Sequence, residues 1–207
     1  MFITLEGPDG SGKTAQFPAL VEFLRQQGYA VFTTREPGGT LIGDQVRAIL
    51  SNLENTGMHP RTEILLFKAS RAQLVETVIR PHLVKGEIVI SDRYADSTLA
   101  YQGYGHQQDV AKLRTIVEFA TGGLKPDLTL LLDIEAEAGL RRKVKGGEWN
   151  RLDAYDLEFH RRTRWGYHEL VRLEPERWVI VDASRPAEQV QAEMRKVVME
   201  RIAFHHG

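Results

Sequence analysis

The stretch EGPDGSGKT, residues 6–14, holds the first chemistry legible in the chain. Gly7, Gly12, Lys13 and Thr14 fit the pattern G-x-x-x-x-G-K-[ST], with Pro8, Asp9, Gly10 and Ser11 inside the loop. Glycines let successive backbone N–H groups turn inward around a phosphate, and a helix starting near Lys13 adds the positive end of its dipole. Lys13 reaches the terminal phosphates, and the Thr14 hydroxyl can ligate Mg²⁺. The apolar run from Phe2 to Leu5 and the helix-compatible residues behind Lys13 give the strand–loop–helix context that this chemistry requires. A nucleoside triphosphate is the expected ligand.

Switches, motors and kinases all use such a loop, so other residues must discriminate. None of the eight lysines follows Asn or Thr, so the guanine-reading N/T-K-x-D tetrad is absent and a regulatory GTPase is disfavoured. Arginines instead stand at the ends of apolar runs: Arg35 after VFTT and Arg93 after IVISD. Arg141, Arg142, Lys143, Lys145 and Arg151 surround a KGG turn. Arginines at strand ends crowd the carboxyl edge of a sheet, where open α/β proteins bind ligands, and two phosphorylated ligands facing each other would need that charge. A nucleotide-dependent binding module without turnover would keep Lys13 but would not need Arg35 and Arg93. Asp92 closes an apolar run and is the candidate support for Mg²⁺. Asp133 closes LTLLLD and is its rival, although DIEAEAGLRR also suits the start of a helix.

The elements that must position these groups alternate. FITL (2–5), AVFTT (30–34), EIVIS (87–91), LTLLLD (128–133) and WVIVD (178–182) lack polar alternation, as strands covered on both faces do. Helical periodicity appears between them at Leu20–Leu24, Leu65–Arg80, Leu113–Ala120 and Val190–Val198. The expected fold is α/β, a parallel sheet flanked by helices on both sides. At 207 residues, 42% hydrophobic and 27% charged, the chain suits a single domain over 1–207. A net charge of −1 gives no global pull towards nucleic acid. With no cysteine there is no disulfide or thiolate chemistry, and no apolar run approaches the roughly 20 residues that span a bilayer. The amino terminus opens on a strand with no basic leader, so a cytoplasmic protein with no membrane partner is expected. Pro18, a few residues into the first helix, has no evident reason in the sequence.

EGPDGSGKT, TREPGGT, ILLFKASRAQL, ISDRYADSTLAYQGYG and RLD ahead of a long helix together resemble bacterial thymidylate kinases, over residues 2 to about 170. The resemblance implies the P-loop nucleoside-monophosphate kinase fold with a five-stranded parallel sheet, Mg²⁺ with ATP as phosphoryl donor, dTMP as acceptor and dTDP as product, and a homodimer. Another nucleoside-monophosphate or deoxynucleoside kinase on the same fold is the alternative. The resemblance assigns residues 7–14 to ATP, Arg35 and Arg93 to the dTMP phosphate, and Phe67 and Arg71 to the thymine ring. Tyr101 would exclude a ribose 2′-hydroxyl, and Thr98 and Gln102 would lie near the base. Asp9 would contact the 3′-hydroxyl or the metal shell, or else simply form the turn, and Phe67 could equally be core. Thr14 and Asp92 would serve the metal. Lys13, Arg93, Asp9 and Arg151 would form the catalytic set, with Arg151 delivered by a lid over about 143–153 because Gly10 fills the slot where some relatives carry a loop arginine. A plain helical connection is the competing reading of that segment.

Overall fold

The computed structural model describes residues 1–146 and 151–206. Five strands, β1 (Phe2–Glu6), β2 (Val31–Arg35), β3 (Ile88–Asp92), β4 (Leu128–Asp133) and β5 (Trp178–Asp182), form one parallel sheet in the order β2-β3-β1-β4-β5. The expected strands match to within a residue, and the five-stranded parallel sheet stands as expected. The register places Leu5 and Arg35 both opposite Asp92, so the ends of β1, β2 and β3 reach the same edge together. That alignment brings the phosphate loop and the strand-end arginines into one place.

Alternate residues of the central strands face opposite layers. Ile3, Leu5, Ile90, Leu130 and Leu132 pack on α1 (Lys13–Gln26) and on Val190, Met194 and Val198 of α9 (Ala187–His206). Phe2 and Val89 meet Leu74, Val75 and Ile79, while Leu131 meets Leu99, Tyr167 and Leu170. Burial on both faces explains the unbroken apolar runs of β1, β3 and β4. The edge strands depart from it: β2 is half-buried along most of its length and Ile180 of β5 is exposed. Pro18 lies inside α1 on its exposed side, one turn after the exposed Thr14, whose carbonyl loses its helical donor.

Between β2 and β3 run α2 (Leu41–Ser51) and α3 (Pro60–Leu74), capped by Thr40 and His59. The periodic run through Arg80 is not one helix: α3 passes through a π turn over Val75–Ile79 into α4 (Arg80–Val84), with Pro81 in its first turn. After β3 come α5 (Ala95–Thr98) and a π segment over Leu99–Gly105, then α6 (Val110–Thr121). α7 (Ala136–Gly146), a 3₁₀ turn over Arg151–Ala154 and α8 (Leu157–Leu173) follow β4. Residues 147–150, in the middle of the expected lid, lie outside the described residues.

Candidate active site

A cleft of about 680 Å³ opens at the carboxyl edge of the sheet, walled by the phosphate loop, the β2–α2 loop, α3, the segment after β3, and α7. On the donor side, Gly12 caps α1 in the left-handed region, φ 92°. Lys13 folds back into its own loop: Nζ donates to Gly7 O at 2.9 Å, Pro8 O at 3.0 Å and Ser11 Oγ at 3.1 Å. Burial, helped by the Arg93 charge, lowers its ammonium to about 8. Gly10, at φ 74°, touches α7 backbone to backbone, and a Cβ there would stand 1.9 Å from Gly139 O.

Arg93 forms the opposite wall from an unusual backbone, φ 69°, held by its N–H to Leu5 O at 2.9 Å and by Ser91 Oγ donating to its carbonyl at 2.7 Å. Its Nη2 donates to Asp9 Oδ1 at 2.7 Å and to Tyr101 Oη at 3.1 Å, and Nη1 donates to Gly7 O, Ser97 Oγ and Tyr167 Oη, each at 3.2 Å. Tyr101 Oη closes the ring by donating to Asp9 Oδ2 at 2.7 Å. Burial would raise the Asp9 carboxyl, but Arg93 and Lys13 outweigh it and hold the group below its usual range. Behind this ring sits Glu6, wholly buried, which accepts from the Tyr94 N–H at 2.8 Å, Ser97 Oγ at 2.6 Å and Tyr167 Oη at 2.8 Å. Burial, reinforced by Asp96, pushes it up to about 7.

Phe67 is half-buried on the cleft wall rather than in any of the core clusters. Arg71, one turn along the same face, donates Nε to Glu36 Oε2 at 2.7 Å, Nη1 to Thr98 Oγ1 at 3.0 Å, and Nη2 to Tyr94 O at 2.8 Å and to Glu36. Of the five N–H donors of its guanidinium, one on Nη1 is left over. Thr98 and Gln102 line the same pocket, and Gln102 Nε2 donates to Glu63 at 2.7 Å. Arg35 stands at the mouth, largely exposed, 3.9 Å from Asp44.

A family model described as "Thymidylate kinase" matches residues 5–194. The chain belongs to the thymidylate kinase family. A relative from Roseiflexus sp. (strain RS-1), named "Thymidylate kinase", is 50% identical over 215 residues, covering 98% of this chain and 95% of the relative. Another of that name from Deinococcus radiodurans is 49% identical over 201 residues, covering 97% of each. The crystal structure of thymidylate kinase from Ehrlichia chaffeensis superposes with a TM-score of 0.79 at 34% identity, over 96% of this chain and 98% of that one. A thymidylate kinase is a nucleoside-monophosphate phosphotransferase, and that is the enzyme class of this chain.

Two oxygen-bearing residues of the cleft would fit an Mg²⁺ ion. Asp92 lines the cleft with a buried Oδ1 that has no hydrogen-bond partner, and Thr14 lines the same cleft at the start of α1. Oxygen donors of this kind, completed by phosphates and water, suit magnesium. Asp133 is turned elsewhere: it accepts from Arg164 Nε and Nη2 at 2.8 and 2.9 Å and lies 3.2 Å from His168, tying β4 to α8. It neither starts α7, which begins at Ala136, nor lines the cleft.

Arg151 is the residue whose surroundings differ most from expectation. Instead of lining the cleft as a delivered catalytic side chain would, it is buried, donating Nε to Leu50 O at 2.9 Å, Nη1 to Tyr155 Oη at 2.8 Å and Nη2 to Glu63 Oε2 at 2.5 Å. Burial would raise Glu63, but His106 and Arg151 bring it down to about 2. The cations of this region that line the cleft are Arg142 and Lys143 on α7. Sequence reasoning also passed over Glu6, Ser97 and Tyr167. A carboxylate ending a fully apolar strand was a usable signal for Glu6; nothing in the sequence links Tyr167, 74 residues further on, to Arg93.

Proposed function

We propose that ATP lies on the phosphate loop and dTMP lies against α3, with the dTMP phosphate on Arg35 and Arg93, so that an acceptor oxygen faces the γ-phosphorus in line. Phosphorylation of dTMP to dTDP is the activity of the family to which the chain belongs. The observation that carries the geometry is Arg93, whose guanidinium touches both Gly7 O of the donor loop and the Asp9–Tyr101 pair. One group can thus neutralise charge where the two substrates meet. The acceptor is a phosphate largely dianionic at neutral pH, so catalysis is positioning and charge neutralisation rather than base abstraction. Bound phosphates would draw Lys13 Nζ off the loop carbonyls. Mg²⁺ held near Thr14 and Asp92 would supply positive charge to the β and γ phosphates.

In this reading, Asp9 orients Arg93, Tyr101 fills the space of a 2′-hydroxyl while anchoring Asp9, and Arg71 offers its spare N–H to thymine O4. The segment 143–153 acts as a lid: Lys143, with Arg142 just ahead of it on α7, turns cations to the cleft, and Arg151 anchors the segment to α3 through Glu63. The protein acts in the cytoplasm as a homodimer, a reading supported by exposed apolar side chains on neighbouring helices, Leu65 of α3 and Phe119 of α6. Among the described residues, no helix is long and apolar enough to cross a membrane.

A coupled assay of ADP release with dTMP, dUMP, dCMP, ribo-TMP, UMP and AMP tests the substrate. dTMP is expected to be fastest. If AMP or UMP outpaces it, the alternative, a different monophosphate kinase on the same fold, takes its place.

A further inference from the structure

Directly behind the pocket assigned to the base, Lys68 of α3 is almost wholly buried. Among the described residues, its Nζ has one hydrogen-bond partner, Thr98 Oγ1, and no carboxylate within ion-pair reach. As an ammonium, Lys68 would be a buried charge with one hydrogen-bond partner and no carboxylate of its own, beside the Arg71 guanidinium. A neutral amine leaves two donors and gains a lone pair. Burial, then the Arg71 charge, in fact hold Lys68 well below the usual lysine range, opposed only by Glu36.

The protonation state fixes what Thr98 offers to the cleft. A hydroxyl has one donor and two acceptor sites. Arg71 Nη1 already donates to Thr98 Oγ1 at 3.0 Å. If Lys68 also donates, both acceptor sites are filled and Thr98 can only donate to a ligand; if Lys68 accepts, one acceptor site stays free. We propose that Lys68 is a positioning residue of the base pocket: as an amine it takes the Thr98 hydroxyl proton, leaving Thr98 Oγ1 as an acceptor that selects a pyrimidine carrying an N3–H. Thymine and uracil have that hydrogen, whereas cytosine presents a bare N3. The selection adds to that made by Arg71 at position 4 and rests on the dTMP reading above.

Few other charges act on the pair. Glu36 arrives from the β2–α2 loop and is bound by Arg71, and Tyr94 contributes its carbonyl to Arg71. On α2, which packs against α3, Arg47 donates to Pro37 O and Asp44 faces Arg35. On α6, Lys112 pairs with Asp109, Arg114 pairs with Glu174, and Glu118 is exposed.

Lys68→Met removes the amine while keeping an unbranched side chain. The kcat/KM preference for dTMP over dCMP is expected to narrow by about tenfold, the worth of one misdirected hydrogen bond, with the loss in KM for dTMP rather than for ATP. The parent's advantage in Kd for dTMP over the variant should fade as pH falls and Lys68 takes up a proton; comparing the two at each pH cancels the titration of the phosphate itself. An unchanged dTMP:dCMP ratio and parallel pH profiles would overturn the proposal while leaving dTMP as the substrate, whereas a parent without dTMP activity would instead overturn the substrate reading. If the variant does not fold, the ¹⁵Nζ and ¹³Cε resonances of Lys68 in the parent decide: a neutral amine at pH 7.5 supports the proposal, and a charged one removes it.

Discussion

Arg71 has two duties, and its substitution should separate from a purely functional loss. Arg71→Ala is expected to lower kcat/KM for dTMP more than tenfold, about 1.5–3 kcal/mol for a charged hydrogen bond, with KM for ATP nearly unchanged. It should also lower Tm, because it strands the buried Glu36 carboxylate, whose Oε1 already has no partner. Steady-state kinetics and a thermal melt read both effects, and damage equal for ATP and dTMP would make the arginine structural only. Glu6 gives the second prediction at this scale. Its carboxyl is raised from 4.5 to about 7, so its contribution to stability is fully present below the unfolded value and is lost as pH rises through the folded one. The loss is about 3 kcal/mol at most, at about 1.4 kcal/mol per pH unit. The parent's Tm should therefore fall between about pH 4.5 and about pH 7 more steeply than that of Glu6→Gln; equal slopes would show that Glu6 is not the group titrating. The motifs made Lys13, Arg35, Arg71 and Arg93 legible because each is a charged side chain closing a glycine-rich loop, at a strand end or at helical spacing. Tyr167 and Lys68 were hidden because their importance lies in what tertiary packing buries beside them, whereas Glu6 stood at a strand end but only the fold reveals the donors around it.

The elements differed in how openly the sequence displayed them. Strands β1, β3 and β4 read cleanly because burial on both faces demands continuous apolar residues, while α5 and the π segment after it gave no signal because a π turn breaks the 3.6-residue period. That break carries Tyr101 and Gln102 into the cleft. The segment proposed as a lid shows the reverse problem: a basic run with glycines reads as mobile charge, yet Arg151 is locked against Glu63. Two variants distinguish the lid's parts. Arg151→Ala should destabilise the fold by about 3–5 kcal/mol, the cost of stranding a buried partner, and a melt unchanged from the parent would contradict its anchoring role. Arg142→Ala should leave the melt nearly unchanged, since that side chain's described bond is a single one to Ala183 O. If it supplies the transition-state charge, kcat should drop by at least about 10²-fold, given that such arginines are worth 10³–10⁵. A kcat within about threefold of the parent would pass the role to Lys143.

At the scale of the whole molecule, sedimentation equilibrium is expected to give twice the 23.5 kDa chain mass, and Leu65→Glu to shift it towards the monomer. A monomer in the parent at all concentrations would end the homodimer reading. The sheet layers and the single cleft edge were legible in the sequence because strand and helix alternate, but the approach of α7 to the phosphate loop was not, since it depends on two residues defined by having no side chain. Gly10 and Gly139 meet so closely that neither could acquire a Cβ without the helix or the loop moving. The two sites are therefore coupled for any attempt at redesign. Grafting an arginine into position 10 would not simply add a second cation to the one offered by α7; it would wedge away the helix that brings Arg142 and Lys143 to the cleft. A side chain at position 10 and the present seat of α7 compete for the same space. Exchanging one for the other requires a concerted change of both segments rather than a single substitution.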